Sequence, residues 1–442
     1  MREYTAYGLV LTAKAIGLRA PLLDELRPRL PPAVPPPAPV VFSAAHLNAR
    51  LNRIFDLPPV KVSSGRRATV NVLVPAFDFN SISAGFFGVF NVALFLRREG
   101  HHVRLVMFDE FPFDREAFRD RLQGYPGMER LFDELEIEYI GRRMNPLAVS
   151  ADDTCVATVW YSAYLAAKVM KLLGNRPFLY LIQDYETHFY PAGSLFALAD
   201  ATYEMNYVAL FSTESLKAYF EKHDVGGVVS RSIPRIHFDN ACTSNLLPRD
   251  EFLALNDRKT TRSLVFYSRP IVDRNMFELT ALTLHRAFAS KLFDAEEWDC
   301  IGMGLGDGVV DLANGRVSRL LPRMSLKDYH RAVAGFDICL TLMASPHPSL
   351  IPMDLAGSGA IVVTNTFRTK TAAYLSGLSQ NIIAAEPTPD ALLAALAIAK
   401  ERSSDLGTRY ENARAMTYPT RWVDSFTERH SVFLDEHLFV RS

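Results

Sequence analysis

Two arginines stand five residues apart in a predicted loop, and their chemistry suits an anionic ligand. Arg269 and Arg274 follow residues 263–267, an apolar run that predicts a β-strand. Guanidinium groups bind phosphate oxygens through charge-assisted and often bidentate hydrogen bonds. From one short loop, both side chains can reach the same diphosphate. Taken alone, however, two loop arginines are more often solvated surface charges.

Residues 345–359 predict a second geometry for binding an anion. They lie between two apolar runs, and they carry Ser349 as a candidate N-cap, Pro352 in a first helical turn, and glycines at 357 and 359. A helix that begins near Ser349 directs unpaired N–H groups and the positive end of its dipole beyond the first strand, which suits a phosphate. The alternative is an ordinary connection between two strands, without a ligand.

A third candidate group follows the predicted strand at residues 177–182. Its members are Asp184, Glu186, His188 and Tyr190. In open α/β sheets ligands bind beyond the carboxyl ends of strands, so these side chains are candidate site residues. Acidic and aromatic residues are also common in loops without a ligand. Asp354, early in the helix predicted above, has the chemistry to hold a ribose or to interact with the helix dipole.

The composition describes a globular chain without a strong overall charge. Hydrophobic residues make up 49% of the 442 residues, charged residues make up 22%, and the net charge of -1 does not favour nucleic acid as a partner. The cysteines form no CxxC or Cys/His pattern, so a reducing cytoplasm is expected. Neither a signal peptide nor a membrane-spanning run is predicted, although residues 7–30 could lie on a membrane surface or pack on the body as an amphipathic helix.

Motifs for metal and cofactor chemistry are missing from the sequence. There is no Asp-x-Asp after a strand, no HExxH, no Walker loop, and the loop at residues 77–85 does not match GxGxxG. We therefore predict no metal and no cofactor, and expect arginines and a helix dipole to neutralise a bound diphosphate.

Strand and helix patterns alternate along the chain and supply the elements that would position these residues. Strands are predicted at residues 69–75, 103–108, 137–140, 154–159, 177–182, 207–211, 263–267, 298–302, 336–342 and 360–365. Helices are predicted between them, among others at residues 115–135, 163–173, 277–289, 325–334 and 389–400. Such alternation predicts an α/β fold with two doubly wound, Rossmann-like domains that face each other across a cleft.

Changes in composition divide the chain into four predicted segments. They are an N-terminal extension with a proline-rich linker (residues 1–61), a first Rossmann-like domain (62–240), a second Rossmann-like domain (241–415), and a C-terminal segment (416–442). The domain junction is expected between residues 234 and 262, where the pattern loses its period.

Several of these motifs resemble a known family. Ser268-Arg269-Pro270 with Arg274 is similar to the Gly-Arg-Leu and following Lys of the large retaining glycosyltransferase family of the GT-B fold that includes bacterial mannosyl- and sucrose-type transferases. Residues 348–356 resemble, more loosely, that family's Gly-Phe-Gly-Leu-Pro-x-x-Glu-Ala segment. The strings QDYE at residues 183–186 and SPHPS at residues 345–349 more closely resemble the WsaF-type rhamnosyltransferases of bacterial cell-surface polysaccharide assembly. The resemblance covers residues 70–422.

The resemblance implies a GT-B fold and a retaining transfer of L-rhamnose from dTDP-L-rhamnose to a growing cell-surface polysaccharide or glycolipid. No metal or other cofactor would be required. The expected partners are the nucleotide sugar, a saccharide or lipid-linked acceptor, and, peripherally, the inner face of the cytoplasmic membrane or an assembly complex. The C-terminal segment would cross back onto the first domain as a helix.

The resemblance also implies roles for individual residues. Donor binding falls to Arg269, Arg274, Arg323, Met324, His347, Ser349, Leu350 and Asp354. The catalytic residues would be Asp184 and Glu186, with Asp184 positioning a substrate or handling a proton. The acceptor or sugar side would include Ser83, Gly85, Tyr185 and Tyr190. The first of the family's paired acids is replaced here by Pro346, so no sugar contact is expected from that position.

Two alternatives stay open from the sequence. A non-catalytic, nucleotide-sugar-binding subunit of a polysaccharide assembly complex would keep the donor site and lack the first acid. An epimerase on the same two-domain fold would convert a nucleotide sugar without any acceptor.

Overall fold

Two parallel β-sheets dominate the architecture. The computed structural model describes residues 43, 51, 54–75, 84–109, 114–122, 127–141, 146–304, 308–313, 315–322, 324 and 326–439. Both sheets belong to one compact unit, Arg53–Ser442. The helix predicted at residues 7–30 and the proline-rich linker lie outside the described residues.

The elements of the described residues are numbered in chain order. Strands β1 to β15 are Val60–Val62, Val70–Val74, Val103–Met107, Glu136–Tyr139, Leu147–Val149, Thr154–Ala157, Phe178–Ile182, Tyr207–Ser212, Arg235–Phe238, Arg262–Tyr267, Trp298–Met303, Arg319–Leu320, Ile338–Leu340, Ile361–Asn365 and Ile382–Ala385. Helices α1 to α15 are Ala84–Arg98, Arg115–Leu122, Leu131–Glu134, Trp160–Leu172, Ser194–Ala201, Glu214–His223, Arg249–Asp257, Phe277–Ala289, Leu326–Val333, Ile351–Ala356, Ala372–Leu378, Pro389–Arg402, Leu406–Arg414, Trp422–Ser425 and Glu428–His437. Short 3₁₀ helices span Glu186–Phe189, Thr202–Glu204, Val225–Gly227 and Asp273–Asn275.

The first sheet has seven strands in the order β4-β3-β2-β6-β7-β8-β9, and all its pairs are parallel. Strands β2, β3, β6, β7 and β8 are buried along their whole length, which explains their continuous apolar sequences. The strand order reverses at the β2/β6 boundary. A ligand crevice is expected at that point, outside the carboxyl ends of the strands.

The second sheet has six parallel strands in the order β12-β11-β10-β13-β14-β15. Its order reverses between β10 and β13, the two strands that precede the arginine loop and the SPHPS turn. The topology therefore brings both predicted anion-binding segments to one edge of one sheet, at its crevice.

The C-terminal segment packs against the first sheet. The ring of Phe426 stacks on Phe95 of α1 at 4.7 Å and on Phe238 of β9 at 4.9 Å between ring centroids. His430 of α15 lies with Nε2 2.9 Å from the carbonyl oxygen of His237. Helix α15 therefore covers the side of the first sheet on which α1 lies.

The α/β fold with two Rossmann-like sheets was predicted correctly, and strand ends differ from the predictions by only a few residues. The single helix predicted at residues 115–135 is wrong, because α2 ends at Leu122 and α3 begins at Leu131. Between them Gly127 adopts a φ of +85°, a conformation that a helix does not contain. The junction region predicted to lack a pattern contains β9 and α7.

Candidate active site

The loop after β10 presents the two predicted arginines differently. Arg269 stays close to its own strand, with Nη1 3.3 Å from the Tyr267 hydroxyl. Arg274 reaches the other sheet, and its guanidinium lies 4.2 Å from the ring centroid of Phe189. The Nε–H groups of both arginines are buried and find no acceptor among the described residues. Two cationic donors thus remain available for an anion.

Asp184, two residues after β7, is one of the residues through which the two sheets are connected. Its Oδ1 accepts hydrogen bonds from the Tyr185 backbone N–H at 2.8 Å and from the Ser345 hydroxyl of the SPHPS turn. Its Oδ2 lies 3.7 Å from Nε of Arg274. The sequence predicted Asp184 and Arg274 as separate candidates, and the structure brings them together.

The SPHPS turn is fixed by its own side chains. The Ser345 hydroxyl accepts the His347 N–H at 2.9 Å, and Nδ1 of His347 accepts the Ser349 N–H at 2.9 Å. The remaining ring proton therefore belongs on Nε2, which lies 3.4 Å from the Ser212 hydroxyl at the end of β8. Burial lowers the pKa of His347 to about 4, with Asp184 raising it and the charges of Lys370 and Arg274 lowering it further. His347 is thus neutral at physiological pH, and its ring connects the SPHPS turn of the second sheet to the end of β8 in the first sheet.

The helix that follows the turn differs from the prediction in its first residues. Helix α10 begins at Ile351 with Leu350 as its N-cap, so the assignment of Ser349 as N-cap is wrong. Ser349 has a φ of +69°, which lies outside helical geometry, and its N–H is already bound by His347. The backbone donor expected from Ser349 is therefore occupied, and the helix is only six residues long.

Asp354 directs both carboxylate oxygens toward protein donors. Oδ1 accepts the backbone N–H of Thr243, in the segment between the sheets, and Oδ2 accepts the Tyr329 hydroxyl at 3.0 Å. Burial raises the pKa of Asp354 to about 7, while these two hydrogen bonds lower it. Its contact with a ribose stays a prediction, and the structure adds a second role, that of anchoring the connecting segment.

The 3₁₀ turn after Asp184 carries the second predicted carboxylate. Oε2 of Glu186 accepts the N–H of Trp160 at the start of α4, and the Trp160 indole donates to the Tyr190 hydroxyl at 3.0 Å. Burial raises the pKa of Glu186 to about 8; the Trp160 hydrogen bond lowers it, Asp184 raises it and Arg274 lowers it. Glu186 is therefore largely protonated at neutral pH, and the charges of Asp184 and Arg274 act on it.

The remaining predicted residues lie around this centre or outside the described part of the chain. The Tyr185 hydroxyl donates to Asp200 at 3.1 Å, away from Asp184. Gly85 lies in the first turn of α1, and Met324 is half-buried between β12 and α9. Ser83 and Arg323 lie outside the described residues.

Three site residues were not assigned roles from the sequence: Ser345, Trp160 and Lys370. Ser345 was inside a predicted turn, but its partner Asp184 is 161 residues away, which no local pattern reveals. Lys370 follows the carboxyl end of β14, next to β13, and is completely buried. A single lysine after a predicted apolar strand was the available signal.

Two kinds of feature are absent from the described residues. No group of three or more histidine, cysteine, aspartate or glutamate side chains in that part of the chain is arranged to hold a metal ion. None of the helices described there is long and apolar enough to span a bilayer.

Both halves of the chain match one protein family. Residues 69–214 match the family model "WsaF, N-terminal domain", and residues 262–397 match "WsaF, C-terminal domain". The chain is 30% identical over 373 residues to the O-antigen biosynthesis protein RfbC of Myxococcus xanthus. That match covers 81% of this chain and 26% of RfbC, so the chain spans about a quarter of the length of that relative.

Solved structures with the same architecture include one from Anabaena and one from Thermosynechococcus elongatus. The HepE protein of Anabaena, in complex with UDP-glucose, matches with a TM-score of 0.56 and 12% identity over 79% of this chain and 94% of that one. The sucrose-phosphate synthase of Thermosynechococcus elongatus matches with a TM-score of 0.52 and 13% identity over 85% of this chain and 100% of that one. At these identities the likeness establishes the GT-B fold.

Proposed function

Because this chain belongs to the WsaF family, we propose that it is a glycosyltransferase that moves a sugar from a nucleoside diphosphate to a saccharide or glycolipid during assembly of a cell-surface polysaccharide. The observation that carries the proposal is the ion pair between the two sheets, in which Oδ2 of Asp184 lies 3.7 Å from Nε of Arg274. It joins an acidic group of one sheet to a cationic group of the other at the carboxyl ends of their strands, where α/β folds bind ligands.

The arginines suit the most demanding part of such a reaction. When the bond between the sugar and the diphosphate breaks, negative charge grows on the leaving oxygen. Arg269 and Arg274 carry buried Nε–H donors without an acceptor in the described residues, so they can bind that charge without first breaking a protein hydrogen bond. Asp184, held by Ser345 and Tyr185, is in place to orient the sugar or an acceptor hydroxyl.

Glu186 has a different part in this proposal. A carboxyl group whose pKa is about 8 keeps its proton at neutral pH, so it donates a hydrogen bond more readily than it accepts a proton. We therefore assign Glu186 to holding a proton beside Asp184, and we leave nucleophilic attack on the sugar to the acceptor.

The finer part of the proposal names the donor and the outcome. We propose L-rhamnose from dTDP-L-rhamnose, retention at the anomeric carbon, and no requirement for a metal. Support comes from the QDYE and SPHPS strings, whose Asp184, Ser345 and His347 form one connected set of contacts. The relationship to an O-antigen biosynthesis protein supports a polysaccharide acceptor.

The test is a transfer assay with dTDP-L-rhamnose and a synthetic rhamnoside, with and without a chelator. We expect a longer glycan whose new linkage has the anomeric configuration of the donor, measured by mass spectrometry and NMR. Binding without a product would favour the subunit alternative, and conversion of the donor without acceptor would favour an epimerase. Parallel thermal-shift measurements with dTDP, UDP and GDP identify the base, because a ligand stabilises the state that it binds; a clear GDP preference would contradict the rhamnose proposal.

A further inference from the structure

Lys370 is a buried cation beside the arginine site. It follows β14, and its backbone is fixed in a tight turn by two hydrogen bonds with Phe367, at 3.0 Å and 2.9 Å. Thr371, the next residue, caps helix α11. The turn and the cap hold Lys370 at the carboxyl edge of the second sheet, and its side chain is completely buried.

The ammonium group of Lys370 has more donors than partners. The ammonium donates to the carbonyl oxygen of Met343 at 2.8 Å, and it makes no second hydrogen bond to any described residue. The same carbonyl also accepts Nδ2 of Asn365 at 3.1 Å, so Met343 does not depend on the lysine. An ammonium group has three N–H donors. Two of them therefore have no partner among the described residues.

Burying such a cation is costly unless an anion compensates it. Burial lowers the pKa of Lys370 to about 7, and the negative charge of Asp184 raises it. Asp184 already accepts hydrogen bonds from Ser345 and Tyr185 and lies near Arg274. The negative charge of Asp184 thus acts on both Lys370 and Arg274.

The topology places Lys370 across from the arginines. Strand β13 lies between β10 and β14, so the arginine loop and the Lys370 turn flank the SPHPS turn. His347 of that turn is affected by the positive charges of both Lys370 and Arg274. From this geometry we propose that Lys370 is a third cationic ligand of the donor diphosphate, an assignment that rests on the proposed function.

The charges around the ammonium predict how binding would proceed. The charge of Asp184, from the first sheet, acts on the ammonium, and the charges of Lys370 and Arg274 both act on His347 of the SPHPS turn. A bound diphosphate would add negative charge beside Lys370 and Arg274, on both of which the carboxylate of Asp184 acts. Lys370 would then take up a proton on binding, because an adjacent anion stabilises its charged form.

The test compares ligands that differ in their number of phosphates. Wild-type protein, Lys370→Met and Lys400→Met are titrated with a nucleoside, its monophosphate and its diphosphate, using whichever of dTDP, UDP and GDP wild-type protein binds most tightly. Lys400 is the matched control, because its ammonium also donates to one carbonyl, that of Leu292 at 2.7 Å. We expect Lys370→Met to lose at least tenfold in affinity for the diphosphate and to keep its affinity for the nucleoside. Lys400→Met should bind like wild-type protein.

Two further measurements separate a ligand from a structural lysine. Calorimetry at pH 8 in buffers with different ionisation enthalpies should show proton uptake by wild-type protein when it binds the diphosphate, and none by Lys370→Met. Melting temperatures should show that Lys370→Met is folded, since methionine fills a similar volume and Met343 keeps its bond from Asn365. If Lys370→Met does not fold, Lys370→Gln, which can still donate to Met343, takes its place.

The outcomes distinguish this assignment from the proposed function. Equal diphosphate affinity in wild-type protein and the folded Lys370 variant would overturn the role of Lys370 and leave the glycosyltransferase proposal standing. Equal losses for the nucleoside and the diphosphate would also overturn it, because the effect would then not depend on phosphate. A wild-type protein that binds none of the diphosphates would overturn both proposals.

Discussion

Replacing Asp354 with asparagine should stabilise the protein above neutral pH. The carboxyl of Asp354 is buried, with the Thr243 N–H on one oxygen and the Tyr329 hydroxyl on the other. Burial raises its pKa from 3.8 to about 7. Asparagine has nearly the same shape, and its carbonyl can accept from Thr243 while its N–H group donates to the Tyr329 oxygen.

The size of the effect follows from proton linkage. Between pH 3.8 and about 7 the folded state keeps a proton that the unfolded state has released, so wild-type stability falls as the pH rises. At about 1.4 kcal/mol per pH unit, this interval corresponds to roughly 4 kcal/mol. The amide of Asp354→Asn does not titrate. Its advantage over wild-type protein should therefore grow from near zero at pH 4 to a few kcal/mol at pH 7 and then level off.

The assay is thermal unfolding of both proteins at every pH unit from 4 to 8, with Asp337→Asn as the matched comparison. Asp337 is equally buried, but it pairs with Lys259 at 3.0 Å and with Arg409 at 3.1 Å. Although burial raises its pKa, these two charges lower it below the usual value. Its ionised form stabilises the fold above about pH 4, so Asp337→Asn should be destabilised by about 3–5 kcal/mol at neutral pH.

A contrary result would be clear. If Asp354→Asn melts below wild-type protein by the same amount at pH 4 and pH 8, Asp354 does not carry a raised pKa and our account of the anchor is wrong. The same variant tests the predicted ribose contact. A nucleotide affinity that falls more than tenfold while stability rises would assign the carboxylate to the ligand as well as to the connecting segment.

Three further predictions concern the site and the first sheet. Arg274→Ala should lower kcat by a factor of about 10²–10³, because one donor to the leaving group is lost. Arg286 is an exposed arginine in the same part of the chain, and Arg286→Ala should leave turnover unchanged. Equal turnover in both variants would show that Arg274 has no part in the mechanism. Turnover that requires neutral Glu186 should fall tenfold per pH unit above about 8, and Glu186→Gln should remove that decline from the pH profile. Arg104 is fully buried and donates hydrogen bonds to Asn71 at 2.8 Å and to Glu138 at 2.7 Å. Replacing it with alanine should lower the free energy of unfolding by about 3–5 kcal/mol, whereas the same change at the exposed Arg119 should lower it by less than about 1 kcal/mol. Urea unfolding measures both losses, and similar values would contradict the argument.

The sequence predicted well those features that depend on neighbouring residues. Continuous apolar strands such as β2 and β7 were found because a strand buried on both faces needs apolar residues throughout. The helix predicted at residues 389–400 is present as α12, Pro389–Arg402, and Thr388 caps it, with the Ala391 N–H 3.3 Å from the threonine hydroxyl. The loops that carry Asp184 and the two arginines, Arg269 and Arg274, were located correctly because they begin where the predicted strands β7 and β10 end.

Pairings between distant segments were not predictable in the same way. The bond from Ser345 to Asp184 joins residues far apart in the chain, and it depends on how two sheets face each other. The N-cap prediction was wrong by one residue, because the helix begins at Ile351 and Leu350 is its N-cap. Ser349 belongs instead to the preceding turn, where Nδ1 of His347 accepts its N–H and its φ is +69°. Local hydrogen bonds of this kind compete with helix formation and are not included in helix propensity.

The contacts of Asp184 explain why acidic and basic residues of the site belong to different sheets. Arg274 and Lys370 on the second sheet would repel each other and resist burial if no negative charge were present. Asp184 supplies that charge from the first sheet, and the Ser345 hydroxyl fixes its orientation. A donor diphosphate would carry the same sign of charge as Asp184. Under the proposed function, a bound donor would therefore compete with Asp184 for Arg274 and Lys370.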